Sequence, residues 1–232
     1  MGEMKLNDRL AAIAGLIKGG AVVADIGTDH GYLPIWLIAN RICKTAIATD
    51  LRPGPLGQAK RFAEKYGVET YISFRLGNGL DTVEPEEADT IVIAGMGGET
   101  TINILSAVQW IKGGGHRLIL QPQSKIPEVM FWLSDNGFCI SDAVLTQDAG
   151  RMYLVIQAEK GSMPEPMPCS YYVPEILAAK GDVLLDAYVS GLISKLENAL
   201  EGMSKSNNTD NGERGEFFSA ALRGLYELKT EI

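Results

Sequence analysis

Five apolar runs, each followed by a helical pattern, set the rhythm of the first two thirds of the chain. Residues 21–24 are uniformly apolar and end at Asp25, which reads as a parallel strand buried on both faces. Residues 45–50, 70–76, 89–94 and 117–120 repeat that signal. Residues 4–18 read as the opening helix, with Leu6, Leu10, Ile13 and Ile17 on one face and Gly19-Gly20 as its stop. Further helices are predicted after Gly31 (Leu33, Leu37, Ile38) and over residues 55–66, where Gly67 is the C-terminal stop. Two more follow: one running through Ile104, Leu105, Val108 and Ile111, and one over 127–136. Residues 138–145 and 151–158 then form two strands around a Gln147-Asp148-Ala149-Gly150 turn. This order predicts an α/β fold, Rossmann-like, with a mostly parallel seven-stranded sheet and a terminal antiparallel hairpin.

The pattern changes after residue 160. Gly161-Ser162-Met163-Pro164-Glu165-Pro166-Met167-Pro168 reads as a linker that its prolines keep extended. From Val173 onward Leu177, Leu184, Tyr188, Leu192, Leu196 and Leu200 recur as a narrow helical stripe. A polar stretch, residues 204–211, interrupts it before a second helix with Phe218, Leu222, Leu225 and Tyr226. The expected division is a main domain over 1–160, a linker over 161–170 and an antiparallel helical hairpin, or coiled coil, over 171–232. A hairpin this thin has little core of its own, so it packs on the main domain, a partner or a ligand. Lys180, Lys195, Lys205, Arg214 and Arg223 offer charge to an RNA backbone, although interleaved acids also fit an ordinary solvated face.

Composition narrows the class. The chain has 232 residues, 46% of them hydrophobic, which is enough for a real core. No apolar run reaches membrane-spanning length, so no membrane partner is expected. Three widely spaced cysteines, Cys43, Cys139 and Cys169, resemble neither a disulfide framework nor a zinc site. A cytoplasmic protein without a metal is the expectation. The net charge of −8 argues against broad nonspecific nucleic-acid binding.

Chemistry concentrates at the ends of the predicted strands. After the first strand comes Asp25-Ile26-Gly27-Thr28-Asp29-His30-Gly31-Tyr32. Its order of strand, glycine-rich turn and helix brings backbone N–H groups and a helix N-terminus to the mouth of a crevice. The spacing Asp25-x-Gly27-x-x-x-Gly31 departs from the G-x-G-x-x-G dinucleotide fingerprint. It has the shape of the S-adenosylmethionine loop of class I methyltransferases. Asp50 ends the second strand, where nucleotide-binding α/β folds place a carboxylate for two ribose hydroxyls; strand-end aspartates are also common caps. Gly77-Asn78-Gly79 ends the third strand, where Asn78 either meets an adenine edge or only makes a turn. Ala94-Gly95-Met96-Gly97-Gly98 ends the fourth; its glycines let another molecule approach the backbone or simply ease a helix start. Gln121-Pro122-Gln123 ends the fifth, with two amides suited to a planar hydrogen-bonding ligand or to nearby backbone. Arg9 either leans over this mouth or stays solvated.

These runs together resemble the bacterial tRNA (adenine(22)-N1)-methyltransferase family, a class I S-adenosylmethionine-dependent group. The resemblance is carried by residues 25–34, 48–56, 75–80, 93–98 and 120–122, in order over roughly residues 4–160. The tail fits that family's C-terminal coiled-coil domain by architecture. The resemblance implies S-adenosyl-L-methionine as methyl donor and tRNA as acceptor, at N1 of an adenine.

Within that frame, Asp25, Gly27, Thr28, Gly31, Asp50, Leu51, Gly77, Asn78, Gly79, Ala94, Gly95 and Met96 are the expected cofactor contacts. Tyr32, Gly97, Gly98, Gln121 and Arg9 are the expected substrate contacts. Asp29 is the candidate countercharge for a cationic product, and His30 a candidate proton acceptor or a loop support. Two other readings stand beside this one: a small-molecule methyltransferase of the same fold, and a noncatalytic nucleotide-binding protein.

Overall fold

The computed structural model describes residues 4–162, 166–205 and 211–232. Its seven strands form one sheet in the order β3-β2-β1-β4-β5-β7-β6. They are β1 Val22–Ile26, β2 Thr45–Asp50, β3 Ile72–Leu76, β4 Thr90–Met96, β5 Arg117–Pro122, β6 Phe138–Asp148 and β7 Arg151–Lys160. The first five are parallel, and β7 runs antiparallel to both β5 and β6. The expected seven-stranded sheet with a closing hairpin is therefore present. The hairpin turn is Ala149-Gly150, both residues at positive φ (47° and 77°), between paired Asp148 and Arg151. That two-residue turn matches the twist of the flanking strands.

The helices are α1 Asp8–Gly15, α2 Tyr32–Ala39, α3 Pro53–Tyr66, α4 Gly98–Ala107, α5 Ile126–Asp135, α6 Glu175–Ala179, α7 Leu185–Ser204 and α8 Asn211–Glu231. Three differ from the sequence reading for local reasons. α1 begins only at Asp8, because the Asn7 side chain caps it by accepting the Leu10 N–H at 3.0 Å. α4 stops at Ala107, since Val108 turns extended (φ −118°, ψ 127°) and lets Ile111 enter the core fully buried. The long tail helix is broken into α6 and α7 by Gly181 at φ 62°, after which Asp182 accepts the Leu184 N–H at 2.9 Å. Part of the expected linker, residues 163–165, and most of the polar stretch, residues 206–210, lie outside the described residues.

Two apolar layers cover the faces of the sheet. On one face α2 and α3 bury Leu33, Ile35, Leu37 and Ala63 against β1 and β2, and α1 buries Ile13 in the same layer beside the β6–β7 hairpin. On the other, α4 and α5 bury Leu105, Val129 and Leu133. The tail joins this second layer, with Tyr172, Leu177, Val189, Ile193 and Leu225 in the same continuous cluster. Phe131 of α5 stacks on Tyr171 at 3.7 Å between ring centres, and Phe217 of α8 closes over the pair at 5.3 Å from Phe131. α7 and α8 run antiparallel: Tyr226 bonds Glu197, while Lys229, nearer the end of α8, bonds Ser190 near the start of α7. Among the described residues no helix is long and apolar enough to cross a membrane.

Candidate functional site

The carboxyl ends of β1, β2, β3 and β4 converge on a crevice of about 640 Å³. A second concavity of about 540 Å³ lies at the opposite end of the sheet, beside Lys18, Asp89 and Arg117. Two of its charged groups are already engaged: Arg117 Nε pairs with Glu159 at 2.7 Å, and Asp89 accepts the Val22 N–H at 3.1 Å. The carboxyl-end crevice combines buried acids with glycines at positive φ, and it is the candidate site.

Its floor is the loop after β1. Asp25 is only 6% exposed and accepts the Thr28 hydroxyl at 2.6 Å. Burial pushes its carboxyl up to about 6, against the opposing pull of the Thr28 hydroxyl and the Arg9 guanidinium. Gly27 has φ 71°, a conformation that favours glycine, and a Cβ there would lie 2.1 Å from the terminal methyl of Met96, which would have to swing aside. Thr28 donates its N–H to the Thr49 carbonyl at 2.8 Å. Asp29 adopts φ 52° and donates its own N–H to Asp50 Oδ2 at 3.0 Å.

Asp50 is 5% exposed at the tip of β2. Its Oδ1 accepts the Arg52 N–H at 2.8 Å, so both carboxylate oxygens are held by backbone donors and the group's orientation is fixed. Each oxygen keeps a further lone pair for a ligand hydroxyl. Leu51, 68% exposed, lines the crevice beside it. The next wall is Gly77-Asn78-Gly79, and β3 below it is braced by Arg75, which grips Glu87 at 2.6 and 2.7 Å. That grip holds the Glu87 carboxyl down at about 2.

The opposite wall is the end of β4, where the register shifts between Ala94 and Met96 and Gly95 takes φ 78°. Gln121 organises this wall. Its Oε1 accepts the Gly95 N–H at 3.1 Å and Arg9 Nη1 at 3.0 Å. α1 is in turn fastened to the β6–β7 hairpin through Asn7 and Asp148 at 2.8 Å.

The structure therefore gathers most of the residues singled out in the sequence. Arg9, Asp25, Gly27, Thr28, Asp29, Tyr32, Asp50, Leu51, Gly77, Asn78, Gly79, Ala94, Gly95 and Met96 all line the crevice. Five stand behind it. Gly31 starts α2, where a Cβ would lie 2.9 Å from that of Ala59. Gly97 and Gly98 face the loop before α5; a Cβ on Gly98 would lie 2.5 Å from the Ser124 carbonyl oxygen, which is a packing requirement. Gln121 is 1% exposed and spent on Gly95 and Arg9. His30 points its edge at Tyr32, with ring centres 5.9 Å apart, and stands 3.8 Å from Asp29. Sequence reasoning did not place Leu10, Ile26, Leu33, Arg52, Thr100 or Ile104 in the crevice. Of the two amides it offered for a ligand, Gln123 lines the crevice and Gln121 does not.

A parallel sheet of this order with one antiparallel strand, an aspartate at the tip of β2 and a glycine loop after β1 define a class I methyltransferase domain. Residues 6–156 match the family model described as a methyltransferase domain. Over 161 residues the chain is 42% identical to the tRNA (adenine(22)-N(1))-methyltransferase of Bacillus subtilis, covering 69% of this chain and 68% of that one. The crystal structure of the B. subtilis M1A22 tRNA methyltransferase TrmK superposes with a TM-score of 0.85 at 32% identity, over 98% of this chain and 100% of that one. A candidate tRNA (m1A22) methyltransferase of Streptococcus pneumoniae, in complex with S-adenosyl-L-methionine, gives 0.80 at 30% identity, over 95% and 98%. The chain belongs to the tRNA (adenine(22)-N(1))-methyltransferase family.

Proposed function

We propose that this chain methylates N1 of adenine 22 in tRNA, with S-adenosyl-L-methionine as donor. The observation that carries this reading is the pair of buried carboxylates, Asp25 and Asp50, at adjacent strand tips of one crevice in a chain of this family. The crevice suits that donor by its own chemistry. A fixed acid at the tip of β2 matches a ribose diol, and a second acid under the glycine loop matches a cationic amino group. A volume of about 640 Å³ admits a nucleoside with an amino-acid arm. When bound, the donor supplies an electrophilic methyl group on its sulfonium.

Asp50 holds the ribose hydroxyls, and Asp25 with the Gly27 loop holds the amino-acid end. Leu51, Asn78 and Ile104 flank the adenine of the donor. Tyr32, 44% exposed at the rim, offers a ring on which the target base stacks. Adenine N1 carries an in-plane lone pair and needs no base to make it nucleophilic. The residues at the rim therefore act by position and by excluding water. N1 lies on the Watson–Crick edge, so the base enters unpaired or flipped out. The methylated base is cationic, and the Asp29 carboxylate faces it as countercharge, with Arg52 at 3.6 Å limiting its swing. His30 supports the loop from behind the crevice. Residues 171–232 are read as a helical appendage to the catalytic domain, and a tRNA substrate puts the reaction in the cytoplasm.

The test is direct. Purified protein, labelled S-adenosyl-L-methionine and unmodified tRNA, digested to nucleosides, yield 1-methyladenosine. Label on another nucleoside, or only on small metabolites, refutes the reading.

A further inference from the structure

Away from the crevice floor, one surface combines exposed rings with unpaired positive charge. It begins at Tyr32 on the rim and runs along α3. The Tyr32 ring meets Phe62 edge-to-face at 5.3 Å, and Phe62 meets Tyr66 at 5.1 Å. The ladder thus leads from the crevice to the C-terminal end of a helix of 14 residues, roughly 21 Å long. Tyr32 is exposed and the other two rings are half-buried.

Two cations, Arg61 and Lys65, sit beside this ladder on α3, while Lys60, two residues before Phe62, lies on the other flank of the helix. Residues 52–66 contain Arg52, Lys60, Arg61 and Lys65 against one acid, Glu64, in a chain whose net charge is −8. Among the described residues, no acidic oxygen lies within 4.0 Å of Lys60, Arg61 or Lys65, and all three are exposed. Arg61 and Lys65 are four residues apart on a helix, like charges on neighbouring turns that repel each other unless an anion lies between them. Lys65 lies over the Phe62 ring at 6.0 Å. The tail differs in sign: residues 171–232 hold six basic and ten acidic side chains. Its Lys180 and Lys205 are paired with Asp142 and Glu201.

We infer that the α3 face, from Tyr32 through Phe62 to Tyr66 with Arg61 and Lys65, is the docking track for the tRNA strand that flanks the target adenine. The inference rests on the proposed tRNA substrate. Rings beside a cationic helix fit unpaired nucleotides, whose bases stack on aromatic faces while phosphates meet ammonium and guanidinium groups. Continuity through Tyr32 puts that strand at the mouth where the flipped base enters. The acidic remainder of the surface repels other parts of the tRNA and restricts its register.

The test uses full-length protein carrying Arg61→Gln and Lys65→Gln together, with the reversed-charge pair (to Glu) as a second variant. A Lys195→Gln/Arg223→Gln pair on the tail serves as comparison. Readouts are tRNA Kd at several salt concentrations, KM and kcat, donor Kd by calorimetry, and thermal unfolding. The α3 variants should raise tRNA KM at least tenfold with kcat and donor Kd little changed. The slope of log Kd against log salt should fall by about 0.7–0.9 for each lost phosphate contact. Phe62→Leu should weaken tRNA binding further without altering the salt slope. If wild-type protein methylates tRNA and the α3 variants match it in KM and slope, the inference is overturned while the function stands. A shift seen only in the tail pair overturns it as well. If the wild type neither binds nor methylates tRNA, both fall.

Discussion

The backbone N–H of Asp29 donates to the carboxylate of Asp50 at 3.0 Å, tying the loop after β1 to the tip of β2. Asp29 itself occupies the left-handed region at φ 52°, inside the turn that joins the two strand tips. One acid is thereby fixed by the residue whose own side chain is proposed to face the acceptor. On that proposal, donor binding and acceptor placement share a single loop.

Asp50→Ala removes the acceptor of both Asp29 N–H and Arg52 N–H along with the proposed ribose contact. A hydrogen bond to a charged group contributes about 1.5–3 kcal/mol, so donor Kd should rise roughly 10- to 100-fold. Asp50→Asn, which keeps an acceptor oxygen, should recover part of the loss. Calorimetric titration with donor checks both; an unchanged Kd in Asp50→Ala would remove the ribose role.

Gly27→Ala forces a Cβ to within 2.1 Å of the Met96 methyl and places alanine at φ 71°. Backbone strain should cost about 1–3 kcal/mol of stability, with a smaller steric share because the Met96 methyl can swing aside. Adding Met96→Ala should restore the crowding component and leave the backbone component. A double-mutant cycle by denaturant unfolding measures the split. Strict additivity would show that the two residues do not press on each other.

Asp25 titrates near 6 in the fold against an ordinary value of 3.8. A raised carboxyl means that the folded state holds the proton more tightly than the unfolded chain. The associated stability is fully present below pH 3.8 and is lost as pH rises through about 6, a swing of roughly 3 kcal/mol. Asp25→Asn should flatten that decline and leave the donor-free protein more stable at neutral pH. Donor binding has the opposite dependence: it needs the ionised carboxylate, so affinity in the native protein should fall below pH 6 and stay flat in Asp25→Asn. Melting curves and titrations from pH 4.5 to 7 check both signs.

Gln121→Leu keeps the volume but strands the Gly95 N–H and releases Arg9. Loss of a buried partner costs about 1–3 kcal/mol. The proposed crevice wall loosens with it, so kcat/KM for tRNA methylation should drop about tenfold while secondary structure is retained. Full activity with normal stability would show that the wall does not depend on this amide.

The sheet, the hairpin and the strand-end acids were legible because they follow from buried apolar runs ending in polar residues. Residues 45–50 and Gly67 were read to the residue, since an abrupt apolar-to-acid boundary and a left-handed stop leave little ambiguity. Other boundaries depend on three-dimensional partners. α4 ends where Val108 must turn to deliver Ile111 to the core, which periodicity alone reads as one continuous helix. Gln121 and Gln123 carry the same side chain two positions apart. Where β5 stops decides the difference: Gln121 lies inside the strand, which ends at Pro122, and braces the wall, while Gln123 lies just beyond it and lines the crevice. Arg9 likewise gained its place from α1 being fastened to a hairpin about 140 positions away.

The central claim is tested most directly by mapping the modified position. An N1-methyl group blocks Watson–Crick pairing, so reverse transcription of tRNA treated with protein and donor should stop at adenine 22. A transcript with guanine at that position should take up no methyl and give no stop. Stops at another adenine, or equal methyl uptake by the guanine transcript, would contradict the account.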